Sequence, residues 1–239
     1  MTTLRKELLM PRPVNPTLRE DILAVALRLI EEKGVGALTM REVAGALGYS
    51  ATTLYQHFES KEELVLALKL QAGDRLTAAM EQARQEPTLL AQLQAMGAEY
   101  IRFGLENPTY YRLIFQDTSA EAIPTAEQLA HMRQSWTIMR DTLVAWLTEQ
   151  QIQSIDADQE ANVLWALVHG LVSLRLANRL DCEAPQEMFS LYEFATARWF
   201  AGLMTNQSSQ LALQKKQQEH PQRKRTTNTS RQRARRKAS

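Results

Sequence analysis

Residues 39–61, TMREVAGALGYSATTLYQHFESK, decide how the whole chain is read. Thr39 followed three residues later by Glu42 is a capping box, so a helix is expected to start at Met40. Val43, Ala44 and Leu47 then recur at helical spacing and give that helix a narrow apolar face. Gly48 ends it, because the residue just past a helix end often needs a positive φ that glycine takes without strain. Ser50 caps the next helix, whose inward residues are Leu54 and Phe58. Ala51, Thr52, Thr53, Tyr55, Gln56 and His57 are left to share the outer surface. Ser60 with Glu63 is a second capping box and opens a longer helix at Lys61; upstream, Thr17 with Glu20 opens one that runs to about Lys33. Two short helices across a glycine turn, the second carrying small, hydroxyl and aromatic side chains outward, are how a helix-turn-helix reads when its second helix enters a DNA groove. A plain helical hairpin inside a bundle carries the same local marks.

The surrounding composition narrows the function classes. With 239 residues, 44% hydrophobic and 23% charged, the chain is long enough for a substantial core and ordinary for a globular protein. No apolar run reaches the ~18 residues of a membrane span, and the N-terminus has no signal-peptide apolar region, so no membrane partner and a bacterial cytoplasmic, nucleoid-associated location are expected. The single Cys182 excludes an internal disulfide and a cysteine-based zinc site. Only four histidines occur: His57, His131, His169 and His220. No glycine-rich phosphate loop, paired-histidine metal motif or nucleophile motif accompanies them, so no enzyme, no cofactor and no metal are expected.

The net charge of +1 conceals a division. Residues 215–239 hold ten Lys/Arg and one Glu, which leaves 18 basic against 26 acidic residues in 1–214. Residues 1–70 are balanced at nine against nine, so an acidic body follows a neutral head and the basic surplus lies in the tail. The tail has no apolar periodicity and is expected to be disordered; its charge alone could attract nucleic-acid phosphate. The expected organisation is an N-terminal arm (1–16), a helix-turn-helix domain (17–66, motif about 40–59), a helical domain (67–206) and a basic tail (207–239).

From Lys61 onward the pattern reads as six further helices with polar, proline-marked breaks. They run from 61 to about 85, over roughly 88–106, from Asn107-Pro108 to Phe115, from Pro124 to about 150, near 157–180 and over 185–204. No strand pattern appears, so the fold class is all-α with nine helices. The last two helices are apolar on nearly every side, with Val163, Leu164, Trp165, Leu167 and Val168 consecutive but for one residue, and Phe189, Phe194, Trp199 and Phe200 in the final helix. A helix that is apolar all round must be covered all round. One face serves the core and the other needs a partner, most economically a second copy through helices 157–180 and 185–204, with Gly170 allowing close approach.

Leu38-Thr39, Arg41, Val43-Ala44, Leu47-Gly48, Thr53-Leu54-Tyr55, His57-Phe58 and Ser60-Lys61 together resemble the DNA-binding head of TetR-family transcriptional regulators over 18–68. Further on, Ala98-Glu99-Tyr100, Asn107-Pro108 with Tyr110-Tyr111, and Trp165 with His169-Gly170 look like the subgroup of that family with a Trp/His/Gly-marked C-terminal domain. The resemblance implies a homodimer that binds a palindromic operator in double-stranded DNA and answers to a small-molecule effector, not yet identified, in the helical domain. It implies phosphate contacts from Thr39, Tyr55, His57 and Lys61. Their hydroxyl, phenol, imidazole and ammonium groups can each donate to a phosphate oxygen.

Base reading then falls to Arg41, Ala51, Thr52 and Gln56, with Ser50 and Thr53 in the same interface. Arg41 suits guanine, Gln56 suits adenine, and Ala51 or the Thr52 methyl suits a thymine methyl. Arg41 could equally pair with a carboxylate on the head, and Ala51 could serve packing alone. The expected cavity lining is Tyr100, Phe103, Tyr111, Phe115, Trp136, Met139, Trp165 and His169, with Met96, Tyr110 and Met132 as further candidates, although an aromatic stripe at helical spacing also describes plain core. Glu99, Arg102, Arg112, Arg133 and Arg175 could supply polar anchors, or could equally be exposed ion pairs. A repressor released by its ligand is the first reading, and an architectural or partner-docking DNA-binding protein on the same fold is the second.

Overall fold

The computed structural model describes residues 17–116, 122–152, 155–182 and 184–219, with side chains as far as Thr205. The described residues form ten α-helices and no strand. The head consists of α1 (Leu18–Lys33), a 3-10 turn (Val35–Ala37), α2 (Met40–Leu47) and α3 (Ala51–Tyr55). The body consists of α4 (Lys61–Ala83), α5 (Leu89–Glu106), α6 (Pro108–Phe115), α7 (Ala126–Met132), α8 (Gln134–Glu149), α9 (Ala157–Leu176) and α10 (Pro185–Glu219).

Side-chain caps set most of the helix starts. Thr39 Oγ1 accepts from the Glu42 N–H at 3.2 Å, Ser50 Oγ from Thr53 N–H at 3.2 Å, and Ser60 Oγ from Glu63 N–H at 3.1 Å. The reciprocal half of each expected box is used differently. The Glu42 carboxylate accepts from the Thr39 hydroxyl and from Lys33 Nζ, and Glu63 accepts from the backbone N–H of Glu59. Gly48 takes φ 69° and ψ 29°, the left-handed conformation expected of it, and ends α2. Ile22, Ala26, Val43, Leu54 and Phe58 lie at most 1% exposed and join α1, α2 and α3 into one small core. The Arg19 guanidinium lies 4.7 Å from the centroid of the Phe58 ring.

The body is layered around α5, which packs against α4, α6, α8, α9 and α10. Two glycines on α5 permit this. A Cβ at Gly97 would run into the Tyr192 ring and hydroxyl of α10, and one at Gly104 would run into Val172 of α9. The Tyr192 hydroxyl donates back to the carbonyls of Gln94 (3.1 Å) and Leu93 (3.4 Å), so the close approach is also a hydrogen-bonded one. Gly170, expected to allow close approach, meets no neighbour within this chain.

Four expectations need correction. Thr17 flanks α1 without capping it, its hydroxyl lying 3.4 Å from the Asp21 carboxylate instead. The expected helix from Pro124 to 150 is two helices that meet at Arg133, where the backbone tightens onto both Leu129 and Ala130 carbonyls, so ten α-helices stand where nine were expected. The ninth ends at Leu176, short of 180, where Asn178 takes φ 51°. The last continues to Glu219 instead of stopping at 204, since LALQKKQQ (211–218) is built from good helix formers although it lacks an apolar stripe. Residues 1–16 and 220–239, and with them most of the basic tail, lie outside the described residues.

Candidate functional site

The first candidate site is the outer surface of α2 and α3. Arg41, Thr52, Tyr55 and Gln56 are exposed, Ala51, Thr53 and His57 are half-buried, and Leu54 is fully buried beneath them. The short helix therefore shows one face to solvent and anchors the other, as a groove-entering helix must. Tyr55 is 51% exposed, a large aromatic side chain that the head's own core does not use. Arg41 has no ion-pair partner among the described residues, whereas its neighbour Glu42 pairs with Lys33 at 3.0 Å. The Ser50 and Thr53 hydroxyls bond each other at 3.0 Å, so both are committed to the cap. Thr39 is likewise occupied as the cap of α2. Lys61 Nζ donates to the Gly36 carbonyl at 3.2 Å, which ties the start of α4 to the turn after α1. The ammonium retains two donors for a phosphate.

Burial in the helical domain separates the expected lining into groups. Tyr100, Met139 and Trp165 border an inner pocket with Met80, Met96 and Tyr192, but its volume is only about 20 Å³, little more than one water. Phe115, Trp136 and Trp165 border a larger cleft of about 490 Å³ between α6, α7, α8 and α9. Trp165 borders both spaces. Tyr111, His169 and Phe103, expected in the lining, border neither space: Tyr111 and His169 pack against Phe115, and Phe103 is 6% exposed in the core.

Tyr100, Tyr111 and His169 form a small polar network inside an aromatic cluster. The hydroxyls of Tyr100 and Tyr111 lie 3.1 and 3.0 Å from His169 Nδ1, and Tyr111 also reaches the His169 carbonyl at 3.1 Å. With Tyr111 donating to the carbonyl, Nδ1 either accepts from Tyr100 or donates to a phenol oxygen, according to the tautomer of the ring. Burial holds the His169 pKa below its ordinary value and favours the neutral ring. Burial also pushes the Tyr111 phenol up to about 12 and raises that of Tyr100 further, so both remain donors. Phe115 stands edge-on to His169 at 5.1 Å, and Tyr100 edge-on to Trp165 at 5.1 Å.

Met132 and Arg133, expected as lining and as polar anchor, border the cleft, and with them two residues that sequence reasoning missed, Leu129 on α7 and Asn162 on α9. The signal for α7 was present. Thr125 and Gln128 make a complete capping box, with Gln128 N–H to Thr125 Oγ1 at 3.2 Å and Thr125 N–H to Gln128 Oε1 at 2.8 Å. α7 buries none of its residues, and His131 Nε2 lies 2.6 Å from Asp74 Oδ1 on α4. α4 thus touches the head at its start, the cleft's flap at Asp74 and the inner pocket at Met80.

Among the described residues no group of three or more His, Cys, Asp or Glu is placed to hold a metal, and no helix is long and apolar enough to cross a membrane.

Comparison with known proteins agrees with both halves of this arrangement. The family profile "Bacterial regulatory proteins, tetR family" matches residues 22–68, and "Tetracyclin repressor-like, C-terminal domain" matches residues 93–198. A relative from Mycolicibacterium smegmatis, the HTH-type transcriptional activator FasR, is 35% identical over 100 residues, which is 41% of this chain and 46% of that protein. The chain therefore matches about half the length of this relative. A protein of unknown function from Rhodococcus sp. RHA1 superposes with a TM-score of 0.70 at 26% identity, over 81% of this chain and 100% of that one. The TetR-family transcriptional regulator PfmR from Thermus thermophilus shares the fold, with a TM-score of 0.56 at 24% identity over 65% of this chain and 84% of its own.

Proposed function

The chain belongs to the TetR family of bacterial transcriptional regulators, a family of DNA-binding proteins and not of enzymes, and on that premise we propose that it is a homodimeric, ligand-responsive repressor of a palindromic operator, at work in the cytoplasm. The observation that carries this reading is α4. A single helix starts at the reader, where Lys61 is bonded to Gly36, and passes the cavity wall at Asp74 and Met80. A ligand that prefers one position of the body helices over another can therefore bias the position of the head.

Dimerisation is supported by what the chain leaves uncovered. Val163 and Leu174 on α9, with Phe194 and Met204 on α10, are 40–57% exposed, and Gly170 opens onto the same side with nothing beside it. Two heads about a two-fold axis read half-sites one helical turn, ~34–36 Å, apart, which a single five-residue α3 cannot do. Within each half-site Tyr55, His57 and Lys61 hold phosphates, Thr39 does so by exchanging its bond to the Glu42 carboxylate, and Arg41, Ala51, Thr52 and Gln56 face base edges. The exposure of Arg41, Tyr55 and Gln56 supports those roles.

The test is selection of bound sequences from random DNA, followed by in vitro transcription from a promoter carrying the selected site. The expected result is a palindrome and reduced transcript. The relative named an activator makes the opposite sign a specific second reading, and increased transcript from the same template would establish it. Recovery of sequences with no two-fold symmetry would overturn the dimeric operator and favour an architectural role.

A further inference from the structure

We propose that the cleft between α6, α7, α8 and α9 takes an amphipathic anion, a compact apolar body bearing one carboxylate, sulfonate or phosphate-type group. The inference rests on the reading of the helical domain as an effector domain and names the chemistry of what that domain binds. Of the two spaces beside Trp165, only the cleft has room: about 490 Å³ against about 20 Å³, and ligand sites commonly span ~300–1,000 Å³. Its walls are three aromatic rings, Phe115, Trp136 and Trp165, closed on the α7 side by Leu129 and Met132. Leu129 is 47% exposed, so the cleft holds apolar surface in contact with water that an apolar body would cover.

Among the described residues one ionisable group borders this apolar space, and it is cationic. Arg133 sits in the turn between α7 and α8 with its guanidinium exposed and without a partner among the described residues. Arg84, Arg102 and Arg140 of the same body are each paired with carboxylates, to Glu81, Glu99 and both Asp141 and Asp158. Arg133 is the C-cap of α7 and the N-cap of α8, so the two helix dipoles oppose one another there and the guanidinium itself is the positive group. The opposite wall offers the Asn162 amide. Residues 71–214 hold nine basic against 17 acidic side chains, so the surrounding field repels anions. An anion is held here only by groups aimed at it, and a planar guanidinium suits a carboxylate, sulfonate or phosphate through two parallel hydrogen bonds.

Two fluorescent probes with one aromatic frame separate the terms: 1-anilinonaphthalene-8-sulfonate carries the anion, and N-phenyl-1-naphthylamine lacks it. Titrated into the full-length protein, the sulfonate is expected to bind at least tenfold more tightly than the neutral probe. R133Q should remove that preference while changing the neutral probe less than twofold. L129E, at an exposed position, should weaken the sulfonate several-fold more than the neutral probe. Equal binding of both probes, or a preference that survives R133Q, overturns the proposal. A second titration against operator-bound protein keeps the two readings apart. Sulfonate that binds through Arg133 without changing operator affinity leaves the anion site standing and removes ligand control of DNA binding. Sulfonate binding that ignores Arg133 removes the anion site and leaves the DNA-binding reading intact.

Discussion

Tyr55 ends α3 half out in solvent, so Tyr55→Phe removes a hydroxyl and nothing that holds the head together. If that hydroxyl donates to phosphate, its loss should weaken binding to every sequence alike, by about tenfold for a hydrogen bond to a charged group worth ~1.5–3 kcal/mol. Melting temperature should stay unchanged. Arg41→Ala should instead flatten preference at a single position of the selected site, and unchanged discrimination in a gel-shift panel would remove Arg41 from the base readers. His169 makes a prediction of a different kind. Burial lowers its pKa in the folded protein, so near pH 6.5 and below the unfolded chain takes up a proton that the native chain resists. The unfolded state then binds more protons, and stability falls as pH drops through that window. His169→Gln should flatten this part of the thermal-stability profile, and an unaltered profile would show that the ring titrates freely in the native state.

The elements differ in how openly the sequence declared them. Where a hydroxyl caps a first turn, at Thr39, Ser50 and Ser60, the start of the helix was legible, because one side chain satisfies backbone donors that are otherwise orphaned. Thr39→Ala should cost ~1 kcal/mol by that measure. The break at Arg133 was not legible, since no Pro or Gly marks it; the capping box at Thr125 signalled a start without revealing how soon the helix would end. The cavity lining followed the same division. The aromatic cluster at Tyr100, Tyr111, Phe115, Trp165 and His169 was read through the family resemblance, since helical spacing alone describes plain core as well. On the α7 side Met132 and Arg133 were named but Leu129 was missed, because a seven-residue helix with no buried residue leaves no periodic apolar signature. α7 is held to α4 by the His131–Asp74 pair, which is exposed and therefore contributes little to global stability. Asp74→Ala should leave the melting temperature unchanged yet speed amide exchange across Ala126–Met132 several-fold. Equal exchange in both proteins would mean that α7 is held by its apolar contacts alone.

At the scale of the whole molecule, α10 sets where the charge goes. Phe189 near its start lies under Arg102, towards the end of α5 that adjoins the head by way of α6. Phe200 lies against Trp146 and beside Met80 and Leu93, at the far ends of α4 and α5. The helix therefore runs away from the reader, and its backbone continues from Phe200 to Glu219, a further ~28 Å at 1.5 Å per residue. Eight Lys and Arg follow between 220 and 239. That charge is attached at the pole opposite the operator, on a molecule whose head is electrically balanced and whose body is acidic. Specific affinity should then depend on the aimed groups of α2, α3 and the start of α4, doubled by the dimer, while the tail meets other phosphate. Deleting 220–239 should leave affinity for a short operator duplex within about twofold. On long non-specific DNA the same deletion should make log K against log salt shallower by up to about 7 per protomer, since each neutralised phosphate contributes ~0.9 to the slope. A slope that does not move would show that these charges contact no DNA. A loss confined to the short duplex would show that the tail folds back along the body to the operator, against the direction in which α10 carries it.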